Sequence, residues 1–294
     1  MGKNVMQAKD LQKTSDSQRV ALLLVKVGTY LFLGIMAVIV LFPFYWMIIS
    51  SLKTLEEYRL SVPTFWPQRV MFVNYLDAFN TADLGSLFVN TMIVGVSSTI
   101  LSLVITVLSA FAFARLEFKG RDLLFTLLLA TMMIPGELFT ITNYATINNF
   151  GWMNKFIVLI VPFLVSVFYI YLLRQNFLQI PNELYLAAKV DGCGDLKYLW
   201  KVMIPLALPT LFSITILKMM GAWNSYIWPR LVANDEAHRL ITNGLRNAFT
   251  DTTGDVNYPV QMAAVALVSA PLFLVFVFLR KYIMSGVSRS GIKG

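Results

Sequence analysis

The side chains that could do covalent or metal chemistry are few in this chain. Its 294 residues include a single histidine, His238, and a single cysteine, Cys193. The sequence contains no Gly-x-x-x-x-Gly-Lys-Ser/Thr phosphate-binding loop. Because a metal or catalytic centre needs several clustered groups, the sequence predicts no metal site, no catalytic residue and no cofactor bound by this chain. His238 is interpreted as a solvated loop residue and Cys193 as an unreactive thiol.

Two charged residues, Glu137 and Lys218, interrupt long apolar stretches, and ionisable groups inside a membrane are costly and often functional. Lys218 follows Met203 by 15 residues, and Glu137 follows Leu123 by 14. At about 1.5 Å per helical residue, both charges would lie roughly 21 to 23 Å along a helix from those two residues, at a similar depth. They could form an ion pair with each other or with a partner subunit. Alternatively they could line a polar cavity within the helix bundle, where Lys218 could meet an acidic or hydroxyl-rich ligand.

The apolar stretches define the elements that hold these residues. Hydrophobic residues make up 57% of the chain and charged residues 14%, a composition typical of a membrane protein. A membrane-spanning helix needs about 20 predominantly apolar residues. Six stretches qualify, at about residues 27–50, 88–114, 123–144, 156–173, 203–228 and 257–279. They lack the alternating pattern of barrel strands, so the sequence predicts an all-α membrane protein with six transmembrane helices. Kinks are expected at four prolines within these spans, Pro43, Pro135, Pro162 and Pro271.

The distribution of Lys and Arg determines the predicted orientation. These residues are concentrated in the N-terminal segment, in the loops after the second and fourth spans, and in the C-terminal tail. Because cytoplasmic loops carry an excess of positive charge, both termini are predicted to be cytoplasmic. The same bias accounts for the net charge of +8, so a nucleic acid partner is not expected. Residues 1–20 are predicted to be a flexible cytoplasmic segment without a signal peptide, and residues 21–294 to form one transmembrane domain.

A polar segment at residues 181–202 lies in the cytoplasmic loop between the fourth and fifth spans. Its pattern predicts a short helix with Asn182 as the N-cap and Glu183 in the first turn. Gly192 is suited to the left-handed conformation that follows a helix end. Asp195 is predicted to cap a second short helix that continues into the fifth span. Local physics leaves two interpretations open, a connector on the lipid headgroups and a helix that docks into another protein.

The residues of this segment resemble the cytoplasmic coupling loop of permease subunits from binding-protein-dependent ABC importers. The signature of that loop reads roughly Glu-Ala-Ala, three residues, Gly, about nine residues, Ile-x-Leu-Pro. Residues at matching positions are Ala187, Ala188, Asp191, Gly192, Ile204, Pro205 and Pro209. The chain departs from the signature at Leu186, where the family has glutamate, and Glu183 lies one helical turn earlier. The stretches Leu172 to Leu184, Trp223 to Pro229 and Ser290 to Gly294 are also similar to the maltose-permease-like carbohydrate branch.

The resemblance implies an inner-membrane importer built from two permease subunits and two ATPase subunits, with ATP and Mg²⁺ bound by the ATPases. An extracytoplasmic solute-binding protein would deliver a sugar or oligosaccharide, and an acidic saccharide is compatible with Lys218. The residues implied in ATPase coupling are Glu183, Leu186, Ala187, Ala188, Asp191 and Gly192. The candidates for the translocation cavity are Glu137, Lys218, Trp223 and Asn224. Trp223, Tyr226 and Trp228 are favoured as interfacial anchors over sugar-stacking residues. The alternative function is an ion-coupled secondary transporter.

Overall fold

The computed structural model of the chain describes the backbone of residues 2–250 and 256–288 and the side chains of residues 21–250 and 256–278. All regular secondary structure in this part of the chain is helical, which confirms the predicted fold class. The α-helices are α1 (Gly2–Ser51), α2 (Leu55–Tyr58), α3 (Val73–Thr81), α4 (Leu84–Arg115), α5 (Arg121–Thr131), α6 (Thr140–Asn149), α7 (Phe156–Ile160), α8 (Val167–Leu178), α9 (Asn182–Val190), α10 (Asp195–Tyr198), α11 (Ile204–Trp223), α12 (Ile227–Val232), α13 (Ile241–Ala248) and α14 (Tyr258–Ser288). Three short 3₁₀ segments cover Gly136–Phe139, Val161–Phe163 and Glu236–His238, and a π-helical turn covers Leu199–Met203.

Four of the predicted spans are unbroken helices in the described part of the chain. They are Ala21–Ser51 within α1, all of α4, the continuous run Asp195–Trp223, and Tyr258–Phe278 within α14. Each is long and apolar enough to cross a bilayer. A helix satisfies every backbone hydrogen bond within its own segment, which is why apolar stretches of this length fold as helices in lipid.

The third and fourth predicted spans are broken helices. Arg121–Thr131 and Gly136–Asn149 are bent by 82° relative to each other, and Phe156–Phe163 and Val167–Leu178 by 46°. Six spans result if each bent pair crosses the membrane once. Pro135 and Pro162 lie at the two breaks, where proline removes a backbone donor and favours a bend.

Some boundaries differ from the sequence-based expectation. The helix of the fifth span ends at Trp223 and is followed by the short helix α12, whereas the apolar pattern continues to residue 228. The helix α1 begins at Gly2, so it includes most of the segment expected to be flexible, and the flexibility of that segment stays a prediction.

Helix α4 is the central element of the bundle. It packs against α8 and α11 along its C-terminal half and against α13 near its N-terminal end. Gly95 allows close approach of α11, because a Cβ atom there would lie 2.9 Å from the Met219 sulfur. Small residues at helix contacts are the usual means of tight packing in membranes. This core holds the loop after α8 and the start of α11 in one unit.

Candidate functional site

The polar segment after α8 forms two short helices, α9 and α10, joined by a tight turn. Residues 182–198 are called the α9–α10 hairpin below. Gly192 closes α9 with a φ of +70°. The Cys193 amide donates to the Ala188 carbonyl at 2.8 Å, and the Gly192 amide to the Lys189 carbonyl at 3.0 Å. This pair of bonds is the Schellman arrangement, in which a left-handed residue satisfies the last carbonyls of a helix. The predicted conformation of Gly192 is confirmed.

The two predicted N-caps are wrong. Pro181 occupies the N-cap position of α9, and Asn182 is the first helical residue. Its side-chain oxygen accepts instead from the Arg115 guanidinium at 3.4 Å. Gly194 occupies the N-cap position of α10, and the Asp195 carboxylate accepts hydrogen bonds from α9. In both cases a tertiary partner has replaced the local backbone amide that a capping side chain would bind.

A polar network holds the two arms of the hairpin together. The Asp195 carboxylate accepts from the Tyr185 hydroxyl at 2.7 Å and from the Lys189 ammonium at 2.6 Å. The Tyr185 ring lies 5.1 Å from that of Tyr198, which is almost completely buried. The hydrogen bond from Lys189 to Asp195 raises the pKa of Lys189 above its ordinary value. The same bond lowers the pKa of Asp195. The ion pair is therefore lost as the pH rises through the raised pKa of Lys189 or falls through the lowered pKa of Asp195, and it persists at physiological pH.

Arg115, at the C-terminal end of α4, fastens the hairpin to the bundle. Its guanidinium donates to the carbonyl of Phe177 at 2.9 Å and to that of Ile180. The side chain is buried. The Phe177 carbonyl also accepts from the Ile180 amide at 3.2 Å, so the guanidinium adds a second donor there and supplies a donor to the Ile180 carbonyl beyond the end of α8. The junction between α8 and α9 is therefore fixed against α4.

The second arm of the hairpin continues into the membrane without a break. The helical run Asp195–Trp223 joins α10, the π-helical turn Leu199–Met203 and α11. Pro205 follows the π turn and has no amide proton to donate to the Lys201 carbonyl, which favours a local widening of the helix there. A displacement of the hairpin would therefore be transmitted directly along α11.

The outer surface of the hairpin is exposed and largely apolar. On α9, Leu186 is 56% exposed and Val190 is 88% exposed. Glu183 and Ala187 share this face and are also exposed. Ala188 instead packs against the core, and Asp191 and Gly192 lie exposed at the turn. Five of the six predicted coupling residues are thus exposed on the hairpin while Ala188 faces the core, and an apolar side chain, Leu186, occupies the position where the signature has glutamate.

A cavity of about 400 Å³ lies among α4, α8, α11 and α12. Lys218 lines it, and the Lys218 ammonium donates to the backbone carbonyl of Phe163 at the break in the fourth span. Trp228 also lines the cavity; it is buried, and its indole N–H donates to the Val158 carbonyl at 3.0 Å. Trp228 is therefore part of the helix packing, in contrast to the anchor expected from its position in the sequence.

The other three cavity candidates lie elsewhere. Glu137 is exposed at the break between α5 and α6, and among the described residues it forms no ion pair with Lys218. Trp223 is buried, with its ring 5.6 Å from that of Phe88. Asn224 is exposed and donates to the Met220 carbonyl at 3.0 Å. Pairing between Glu137 and Lys218 within this chain is thus wrong, while roles in translocation stay predictions.

His238 contacts both a carboxylate and an aromatic ring. The Nδ1 atom of His238 lies 2.6 Å from the Asp235 carboxylate, and its ring packs edge-on against Phe156 at 4.7 Å. Within the described ranges, no group of three or more His, Cys, Asp or Glu side chains is placed to hold a metal ion. His238 therefore stabilises the loop before α13.

Sequence reasoning missed Arg115, Tyr185 and Tyr198 as components of the site. Arg115 carries a charge at the cytoplasmic end of a span, so the positive-inside rule alone explains its presence. The spacing of Tyr185 and Tyr198 gives no signal, because their contact depends on the reversal at Gly192. The one available signal was a pair of aromatic residues on either side of an Asp-Gly turn.

Comparison with known proteins gives a consistent result. A family model described as "Binding-protein-dependent transport system inner membrane component" matches residues 102–289. The diacetylchitobiose uptake system permease protein NgcG of Streptomyces coelicolor is 31% identical over 86% of this chain and 84% of that protein. The arabinooligosaccharides transport system permease protein AraQ of Bacillus subtilis is 27% identical over 92% of this chain and 96% of that protein. A chain in a crystal structure of a bacterial ABC transporter involved in the import of the acidic polysaccharide alginate has a similar fold. Its TM-score is 0.79 at 24% identity, over 87% of this chain and 95% of that one.

Proposed function

This chain belongs to the family of inner membrane components of binding-protein-dependent transport systems, and on that premise we propose that it is a permease subunit that imports a sugar or oligosaccharide. It is a multi-pass protein of the inner membrane. Members of the family are transport components, so ATP and Mg²⁺ are assigned to separate ATPase subunits. This assignment agrees with the lack of a phosphate-binding loop in the sequence.

The names of the relatives support a carbohydrate solute. NgcG is named for the uptake of diacetylchitobiose, and AraQ for the transport of arabino-oligosaccharides. Each aligns with more than four-fifths of this chain, so the similarity includes the spans as well as the cytoplasmic loop. We assign a saccharide to this chain as the solute class that these relatives share.

The proposed assembly contains a second permease subunit, two ATPase subunits and an extracytoplasmic binding protein. Large apolar side chains are exposed on α1, on one side of α4 and on the described part of α14. Such surfaces need lipid or another helix as a neighbour. A heterodimer with a second permease would cover part of this surface and complete a translocation path between the two subunits.

The observation that carries the proposal is the rigid connection between the α9–α10 hairpin and α11. The hairpin is closed by Asp195, fixed to α4 through Arg115 and continuous with a spanning helix. We assign its exposed face, with Leu186 and Val190, to a groove on an ATPase subunit. Closure of the ATPases would then move the hairpin as one body and rock the transmembrane helices around the solute path.

A charge placed in the turn of the hairpin tests this proposal. Gly192→Asp introduces a side chain where φ is +70°, whereas Gly194→Asp adds the same charge two residues later, where φ is −67°. Aspartate is a favoured N-cap residue, so the second variant is a matched control. The transporter is purified from native membranes in mild detergent, its subunits are identified by mass spectrometry, and ATP-dependent uptake is measured in proteoliposomes.

We expect an ATPase and a second permease to copurify with the native chain and with Gly194→Asp. In Gly192→Asp the ATPase should be lost, or ATP hydrolysis should continue without uptake. Coupled transport by Gly192→Asp at the native rate would contradict the assignment of the hairpin. Uptake by the chain alone, driven by an ion gradient, would favour a secondary transporter instead.

A further inference from the structure

Lys218 places a positive charge at membrane depth, and the described side chains of this chain supply no countercharge to it. Among the described residues no carboxylate forms an ion pair with it, and its ammonium donates to the Phe163 carbonyl. An ammonium has three N–H donors, and a backbone carbonyl is neutral. The bond to Phe163 therefore holds the side chain in place but leaves its charge uncompensated. Ionisable groups at this depth ordinarily have a partner, so an anionic partner is expected here.

The cavity beside Lys218 suits a small solute group. Its volume is about 400 Å³, within the range of roughly 300 to 1,000 Å³ that is common for ligand pockets. Lys218 is the one charged side chain among the described residues that line it. Polar groups on the wall come from Ser98, Ser166, Ser225 and Tyr169. The wall thus combines one cation with hydroxyl-bearing residues. Its described lining contains no aspartate or glutamate that would repel an anionic group.

The break in the fourth span adds a second positive field to the same cavity. Helix α8 contains 12 residues, and its N-cap, Ser166, lies on the cavity wall. The start of a helix carries partial positive charge from its free amide groups. Half-helices in transporters direct such ends toward anionic groups of their solutes. A helix start alone would mark no site, but here it adds to the full charge of Lys218.

We propose that this cavity is a subsite for an acidic group, a carboxylate, phosphate or sulfonate, carried by the transported saccharide. The proposal rests on carbohydrate import as proposed above, and it narrows the solute class to acidic sugars. Lys218 supplies the countercharge, while the wall residues with hydroxyl groups lie where sugar hydroxyls could bind. The site lies within one subunit, so an acidic sugar would contact this permease directly.

Binding of three sugars that share one ring tests the subsite. Glucose, glucuronate and glucose 6-phosphate are titrated calorimetrically into the assembled transporter in phosphatidylcholine nanodiscs. We expect at least one acidic sugar to bind at least about tenfold more tightly than glucose. Lys218→Gln keeps a donor for the Phe163 carbonyl but loses the charge, and it should abolish this preference. Lys218→Arg should retain it, as should Lys119→Gln, which removes an exposed lysine from the loop after α4.

Two results would overturn the subsite. One is the absence of any preference for an acidic sugar in the native transporter, and the other is a preference that survives in Lys218→Gln. An anionic lipid headgroup offers the same chemistry as an acidic solute, so the titration is repeated with phosphatidylglycerol in the nanodiscs. If the preference disappears there, and native mass spectrometry shows phosphatidylglycerol bound to the native chain but not to Lys218→Gln, the ligand is a lipid and the solute assignment is wrong.

ATP-driven uptake of the same sugars separates this proposal from the function on which it rests. An acidic preference in binding without ATP-driven uptake of any sugar would contradict carbohydrate import and leave an anion site. ATP-driven uptake of neutral sugars without any preference for acidic sugars would support carbohydrate import and overturn the acidic subsite. The two proposals therefore fail in different measurements.

Discussion

At Gly192 the backbone conformation restricts the choice of residue, whereas the space available for a side chain does not. Its φ is +70°, and a Cβ atom there would have no heavy atom within 4 Å. An alanine would therefore cost about 1 kcal/mol through the left-handed backbone alone. We predict weaker amide protection at Cys193 in Gly192→Ala, a smaller effect in Gly192→Asn, and almost none in Gly194→Ala, whose φ is −67°. Hydrogen exchange with mass spectrometry measures the series, and equal exchange in all three variants would contradict it.

Gly244 is restricted by space instead. A Cβ atom on this residue of α13 would lie 2.2 Å from a Leu87 methyl carbon on α4. Leu87 is buried, so the added methyl group would force the two helices apart. We predict that Gly244→Ala destabilises the chain by about 1 to 3 kcal/mol. Gly34→Ala is the control, because a Cβ atom at Gly34 meets nothing within 4 Å. The midpoints of thermal unfolding should separate the two variants, and a Gly244→Ala midpoint equal to the control would refute the clash.

At the residue scale, the sequence predicted local conformation better than side-chain partners. The Asp-Gly pair indicated the helix end, because the left-handed requirement is set by neighbouring residues. Asn182 and Asp195 were predicted as N-caps from the same kind of local rule. Their side chains bind Arg115 and Tyr185 instead, and the contact with Arg115 joins residues 67 positions apart. Such partners are determined by the packing of α4 and α8, which a local pattern does not contain.

At the scale of elements, the α9–α10 hairpin depends on Asp195 for its closure. Asp195→Ala removes the acceptor for both Tyr185 and Lys189. We predict faster hydrogen exchange at residues 190–195, by less than about tenfold because exposed ion pairs contribute little. Lys197→Ala, which removes an exposed side chain of α10, should leave the exchange unchanged. Equal exchange in the two variants would show that the turn alone holds the arms together.

Arg115 should determine how firmly the hairpin is attached to the bundle. Arg115→Gln removes buried hydrogen bonds to the carbonyls of Phe177 and Ile180. The Phe177 carbonyl keeps the Ile180 amide as a donor, whereas the Ile180 carbonyl loses the guanidinium, and a buried acceptor left without a donor costs about 1 to 3 kcal/mol. We predict faster exchange through residues 178–184 and a lower ratio of solute transported to ATP hydrolysed. Arg121→Gln, which changes a more exposed arginine that pairs with Asp122, should preserve both quantities, and a normal ratio in Arg115→Gln would contradict the proposed attachment.

The apolar pattern located the spans but not their breaks. Hydropathy treats residues 123–144 as one stretch, whereas the structure bends it by 82° at residues 131–136. Pro135 and Pro162 predicted kinks, but the size of a bend depends on which neighbours satisfy the freed backbone groups. At the second break the Lys218 ammonium, from another span, binds the Phe163 carbonyl. A sequence pattern cannot supply that contact, since it joins residues 55 positions apart.

At the scale of the whole molecule, the cavity could not be predicted as a unit. Its wall combines residues from α4, the broken fourth span, α11 and α12 with Leu240 before α13. Lys218 was identified from its cost in a membrane, but the pairing with Glu137 assumed that equal depth implies proximity. Depth is one coordinate, and the arrangement of helices around the bundle supplies the others. The positions of the apolar stretches needed only composition, which is why they were predictable.

The orientation of the whole chain rests on its charge distribution and can be tested by labelling. Cys193→Ser removes the one native cysteine and provides a background for single cysteines. Val62→Cys lies in the loop after α2, where Val62 is 81% exposed, and Lys119→Cys lies in the loop between α4 and α5. With both termini cytoplasmic, Val62 faces outward and Lys119 faces the cytoplasm. A membrane-impermeant maleimide should label Val62→Cys in right-side-out vesicles and Lys119→Cys only in inside-out vesicles.

The opposite pattern would invert the topology and place the α9–α10 hairpin outside the cell, where no ATPase could reach it. If both positions were labelled from the same side, α4, the helix that separates them, would not cross the membrane.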